Sequence, residues 1–188
     1  APGRVSSSNV EALLSDDVWT VAEEILGWTL VSDIGGKRTA VTITETEAYA
    51  GADDPASHAF RGRTKRNGSM FECAGTLYVY RSYGIHWCMN VVVGEEGLPH
   101  AVLLRGGEPS AGIATMEERR GRQSNLADGP GKLCQALGVS GDHDGVNLRG
   151  GLLRLEPGPG LSGRSVAHTP RIGISRAAEH RWRFVVVG

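Results

Sequence analysis

A chain of 188 residues with 40% hydrophobic and 22% charged side chains fits one hydrophobic core, since single domains run to about 100–200 residues. No apolar run approaches the roughly 18 residues of a membrane-spanning helix, and Ala1–Glu11 lacks a positive segment followed by an apolar stretch, so residues 1–11 are expected to be a short disordered lead and the protein to stay in the cytoplasm. The formal charge of −1 argues against a uniformly basic nucleic-acid binder, but residues 1–60 hold 10 acids and 3 bases (net −7) and residues 61–188 hold 17 bases and 11 acids (net +6).

Past the lead, Val18, Val21, Ala22, Ile25 and Leu26 recur at helical spacing, with Ser15, Asp16 and Asp17 as N-cap candidates and Gly27 as the residue that closes the helix. From Thr39 to Tyr49 the period becomes two. Strict alternation places Val41, Ile43, Glu45, Glu47 and Tyr49 on one face and Thr42, Thr44 and Thr46 on the other. Further strand-forming runs are Thr76–Tyr83, Trp87–Val93 and Ala101–Arg105, the first two joined through a hairpin at Tyr83–His86. Helices are expected over Ala111–Arg122 and from Pro130 to Gly138, followed by short strands at Leu152–Leu155, Arg171–Ile174 and Phe184–Val187. The result is a single-domain α+β fold, a curved, mostly antiparallel sheet with three peripheral helices.

Three cysteines, Cys73, Cys88 and Cys134, are an odd number without CxxC spacing, which favours buried free thiols over disulfides or structural zinc. The histidines are scattered, and phosphate-loop, dinucleotide, zinc-deaminase and GxSxG patterns are missing, so no metal or cofactor is expected. Two features stand out. Glu45 and Glu47 end a strand face that begins apolar, and a partly desolvated carboxylate has a raised pKa suited to general-base work; the plainer alternative is a solvated acidic strand end. All four tyrosines lie at Tyr49 or within Tyr78–Tyr83, just downstream of the basic stretch Arg61–Arg66. Flat rings beside positive charge can stack nucleobases and contact phosphates, although tyrosines also simply favour strands.

These residues carry a resemblance. Glu45–Tyr49 (ETEAY), His58, Arg66-Asn67 followed by Met70-Phe71, Gly75–Tyr83 (GTLYVYRSY), Cys88-Met89-Asn90, Val102–Pro109 (VLLRGGEP), Gly129–Leu137 (GPGKLCQAL) and Arg171–Ile174 (RIGI) occur in the order seen in the alkyladenine, or 3-methyladenine (methylpurine), DNA glycosylases. The resemblance implies a single glycosylase domain over residues 12–188, with a curved antiparallel sheet like that of formyltransferase C-terminal domains. It implies a monofunctional, cofactor-free and metal-free hydrolase that starts base excision repair by removing damaged purines (3-methyladenine, 7-methylguanine, hypoxanthine, ethenoadenine) from duplex DNA as a monomer, near the nucleoid if bacterial. By motif position Glu47 would activate water, with Arg105 and the Ile172 main-chain carbonyl holding it. Tyr49, His58 and Tyr80 would sandwich the extruded base, Tyr83 would intercalate, and Asn90 would exclude the guanine 2-amino group. Arg61, Arg63, Lys65 and Arg66 are the candidate phosphate contacts from the basic stretch. A non-catalytic module of the same fold that only binds nucleic acid or damaged bases is the competing reading.

Overall fold

In chain order the computed structural model, which describes residues 7–188, runs α1 (Ser7–Leu14), α2 (Val18–Glu24), β1 (Thr29–Ser32), β2 (Thr39–Tyr49), β3 (Leu77–Ser82), β4 (His86–Val93), β5 (His100–Ala111), α3 (Ile113–Arg120), α4 (Pro130–Leu137), β6 (Leu153–Glu156), β7 (Ser165–Thr169) and β8 (Arg183–Val187). Local chemistry sets the helix ends. The Asp17 side chain accepts from the Thr20 amide at 2.8 Å and so caps α2, while Pro130 opens α4 and Gly138, at φ +78°, closes it in the left-handed region.

The strands form one antiparallel sheet in the order β3–β4–β5–β2–β1–β6, with β8 also paired to β2 and β7 to β8. β2 is the organising strand. One edge follows β5 for most of its length; the other pairs first with β1, over Thr39–Thr42, and then with β8, over Glu45–Glu47. The changeover coincides with register shifts against β5 between Ile43 and Glu45 and between Glu45 and Thr46.

That irregularity corrects the alternation expected for this strand. Val41 and Ile43 lie in the main core, but so do Ala48 and Ala50, and the Thr46 hydroxyl donates to the Ala22 carbonyl of α2. A one-residue slip reverses every side chain that follows it. Odd positions therefore face the core before the bulge and even positions after it, which turns Glu47 and Tyr49 toward the opposite side. On β5, Gly106 stands opposite Glu45 and Gly107 opposite Ile43. A Cβ on Gly107 would lie 2.7 Å from Val41 Cγ2, so the close approach of the strands here needs glycine.

Three further expectations change. The disordered lead expected over 1–11 gives way at Ser7 to α1, whose Val10, Leu13 and Leu14 are buried; residues 1–6 lie outside the described residues. The α-helices among the described residues are therefore four, α1–α4, rather than three. Arg171–Ile174 is a loop, not a strand, because Pro170 cannot donate to a ladder, Gly173 sits at φ +73°, and the Ile172 amide bonds a side chain instead. Cys88 and Cys134 are buried as expected, but Cys73 is exposed.

Candidate active site

On the far side of the bulged strand lies a cavity of about 830 Å³, lined among others by Tyr49, His58, Tyr80, Asn90, Arg105 and Ile172. Glu47 sits directly behind these residues with no exposed surface. Its Oε1 accepts from the Tyr49 hydroxyl at 2.8 Å and its Oε2 from the Ile172 amide at 2.7 Å, and Arg105 Nη1 stands 3.8 Å from Oε1. Burial raises the Glu47 pKa, against the Arg105 charge and the two hydrogen bonds, which favour the anion. The carboxylate is thus both oriented and made more basic than an exposed one.

Glu45 differs in kind. Arg183 of β8 binds its Oε1 through both Nε and Nη2 and is itself tied to the Thr169 hydroxyl. Arg105 Nε, 3.5 Å from the same Glu45 oxygen, makes no hydrogen bond although it is buried. One acid is neutralised by a dedicated arginine; the other keeps neutral donors and a more distant cation.

The rings are held by β3 and the loop after β2. His58 meets the Tyr80 ring edge-on at 4.4 Å, and its Nδ1 lies 3.0 Å from the Tyr78 hydroxyl. Burial, with Arg66 nearby, lowers the His58 pKa, which favours the neutral imidazole. Tyr78, only 2% exposed, stacks on Tyr80 at 5.6 Å and also lines the cavity, so it braces the Tyr80 ring there. Asn90, on β4, donates from Nδ2 to the Tyr78 carbonyl at 3.2 Å and also lines the cavity.

Tyr83 projects from the tip of the β3–β4 hairpin at 90% exposure, with φ +51° followed by Gly84 at φ +65°, and the Ile85 amide donates to Ser82. Two successive left-handed residues make the turn type favoured in tight hairpins, but a tyrosine there is strained by roughly 1–3 kcal/mol. The basic stretch borders the same opening. Arg61 and Arg66 line the cavity, and Arg66 donates to the Arg81 carbonyl at 3.0 Å, joining this loop to the hairpin. Arg63 is partly engaged elsewhere, 3.7 Å from Glu72 and stacked over Phe71, while Lys65 is exposed.

The profile described as methylpurine-DNA glycosylase matches residues 12–188. The chain belongs to the methylpurine-DNA glycosylase family. It is a DNA glycosylase of the methylpurine type. Similar proteins span nearly its whole length: one from Methanoculleus marisnigri is 46% identical over 182 residues (94% of each chain), one from Rhizobium etli is 46% identical (99% of this chain, 89% of that one), and one from Chlorobaculum tepidum is 45% identical (89% and 82%). Each is named "Putative 3-methyladenine DNA glycosylase".

Of the residues singled out in the sequence of this glycosylase, Tyr49, His58, Tyr80, Asn90, Arg105, Ile172 and Tyr83 line one cavity and Glu47 backs it. Ile172 is engaged through its amide, which donates to Glu47, whereas the family resemblance implies a role for its carbonyl. Among the described residues no three His, Cys, Asp or Glu side chains gather as a metal site, and no helix is long and apolar enough to cross a membrane. Two further residues, to which the motif pattern assigns no role, hold the site together. Asn67, 2% exposed, accepts from the Thr64 amide at 2.6 Å and donates to the carbonyls of His58 and Gly62 at 3.0 and 3.1 Å. Asp54, fully buried, pairs with Arg171. Asn67 had a signal, its place at the end of the basic stretch; Asp54, one acid in a turn-forming Asp-Asp-Pro, had none.

Proposed function

We propose that this glycosylase, as a monomer, rotates a damaged purine out of duplex DNA into the cavity and hydrolyses its N-glycosidic bond with water activated by Glu47. The observation that carries the reading is Glu47 itself, a buried, oriented carboxylate with a raised pKa behind a ring-lined cavity. A module that only held bases would have no use for a carboxylate there.

A base inside a duplex cannot be reached by a side chain, so the nucleotide must leave the stack at a cost of a few kcal/mol, least for damaged pairs. Tyr83, exposed on a tight turn, fills the gap, and Arg61, Lys65 and Arg66 hold phosphates, with Arg63 contributing less because of Glu72. The base stacks among Tyr49, His58 and Tyr80, whose negative ring faces favour cationic N-alkylated purines. As the glycosidic bond breaks with oxocarbenium character and the purine leaves, the Glu47 anion faces the developing cation at C1′ and then takes a proton from water as the water oxygen bonds to C1′. Arg105 and the Ile172 carbonyl complete the hydrogen bonds of that water. Alkylated purines leave readily because they already carry positive charge, whereas neutral hypoxanthine must first gain a proton. No lysine lines the cavity, which favours direct hydrolysis over a Schiff-base intermediate.

The test is incubation with duplex oligonucleotides carrying one 7-methylguanine, hypoxanthine or ethenoadenine, then alkaline cleavage of abasic sites. Strand breaks at the lesion support the reading. Tight lesion binding with no abasic product would replace it with the damaged-base binder.

A further inference from the structure

Behind Tyr49 lies an ion pair that the proposed chemistry does not use. Arg171 and Asp54 are both fully shielded and joined twice, Nη1 to Oδ2 at 2.5 Å and Nη2 to Oδ1 at 2.9 Å. Asp54 also accepts from the amides of Ala50 and Ala56, both at 3.1 Å, which fixes the turn leading from β2 toward His58. Arg171 Nη1 donates in addition to the carbonyl of Ala48, the residue between Glu47 and Tyr49, at 3.0 Å. Its guanidinium stands 4.7 Å from the centroid of the Tyr49 ring and 4.9 Å from that of Trp182. Tyr49 lines the cavity and Arg171 does not, so the cation backs the ring on the side away from a bound base. The next amide along the chain, that of Ile172, is the one that holds Glu47.

Well-packed apolar residues would stabilise such a site as well as a buried ion pair does. What they could not supply is this set of directional bonds to β2, through Ala48, and to the turn after it, through Asp54. We propose that Arg171, locked by Asp54, is a positioning residue that holds the Tyr49 ring and the Glu47 carboxylate in one fixed relation, so that base capture and water activation share a single rigid support.

This inference rests on the function proposed above and predicts a pH signature. Glu47 is faced by Arg105 from β5, by Tyr80 from β3, by Tyr49 and Glu45 from its own strand, by Arg183 of β8 through Glu45, and by Arg171 with Asp54 from the two loops. Removing the Arg171 charge and loosening the Ile172 amide both disfavour the Glu47 anion, and the simultaneous loss of the Asp54 charge, which acts on Glu47 less than Arg171 does, offsets only part of this. The limb on which excision rises with pH must then move to higher pH.

The experiment measures single-turnover excision of 7-methylguanine, a cationic leaving group that needs no protonation, over roughly pH 5 to 9. Affinity for duplex carrying a non-cleavable abasic analogue is measured alongside, for wild type, Arg171→Lys and the neutral pair Asp54→Asn/Arg171→Gln. The neutral pair should lower the plateau rate about tenfold or more and move the acid limb up by about half a pH unit, with affinity within about threefold. Arg171→Lys keeps the cation without its fork, so it should lower the plateau and leave the limb near its wild-type place. A cooperatively folding neutral pair with an unmoved limb, or with rate and affinity falling in parallel at every pH, overturns the inference. Should the neutral pair not fold, an unchanged plateau in Arg171→Lys overturns it instead. Wild type that excises nothing would defeat the proposed function itself, whereas wild-type excision with an unmoved limb defeats this inference alone.

Discussion

Replacing Asn67 by alanine isolates the contribution of one buried side chain to the loop that carries both His58 and the basic stretch. The substitution deletes three hydrogen bonds, from the Thr64 amide and to the carbonyls of His58 and Gly62. At about 0.5–1.5 kcal/mol each, with water recovering part at this surface loop, the loss is about 2 kcal/mol. Because binding requires the loop conformation that these bonds hold, that cost falls on affinity and weakens lesion-duplex binding about 30-fold. The charges of Arg61, Arg63, Lys65 and Arg66 are untouched, so the slope of log K against log salt should not change. Asn67→Asp, which keeps the acceptor but sets a carboxylate against two carbonyls, should be at least as damaging. Titration of a lesion duplex at several salt concentrations, beside thermal melting, decides the matter. A lower melting temperature with unchanged affinity would refute the reasoning, because the loop geometry would then play no part in binding.

Asn90→Ser should raise excision of 7-methylguanine relative to hypoxanthine, since a shorter side chain leaves room for the 2-amino group; an unchanged ratio would place discrimination in the stacking rings. Tyr83→Gly should relieve backbone strain and raise the melting temperature slightly, while cutting excision from duplex far more than from single-stranded substrate. Neutralising Arg61 and Lys65 together should reduce the salt slope by up to about 1.8; Arg63→Gln, already offset by Glu72, should reduce it less.

The sequence showed the elements more clearly than their irregularities. The Thr39–Tyr49 strand, the tyrosine hairpin and the Pro130–Gly138 helix follow from local rules of periodicity, turn chemistry and capping, and they stand where those rules put them. The β2 bulge did not follow, because it arises from pairing with Gly106 and Gly107 some 60 positions away. Yet the bulge determines which face Glu47 occupies. Strict alternation explains its desolvation by an apolar strand face, whereas the structure produces it by turning Glu47 away from that face and covering it with Tyr49 and Ile172. Likewise the Arg171 motif was visible but its partner was not, since a long-range ion pair leaves no mark in spacing. β7 leaves no clear mark in the sequence because its Ser-Val-Ala-His-Thr run is half exposed and lacks a clear apolar alternation.

The most direct test of the account is single-turnover excision of 7-methylguanine by Glu47→Gln, with Glu45→Gln beside it. The glutamine keeps the shape at position 47 and removes the base, so lesion binding should persist while excision falls by about 100-fold to 10,000-fold. Glu45→Gln, which weakens the pairing with Arg183 and the 3.5 Å approach of Arg105 but leaves the Glu47 carboxylate in place, should remain within about tenfold of wild type. Wild-type-like excision by a folded Glu47→Gln variant, or a larger loss at Glu45 than at Glu47, would contradict the assignment of Glu47 as the water-activating base.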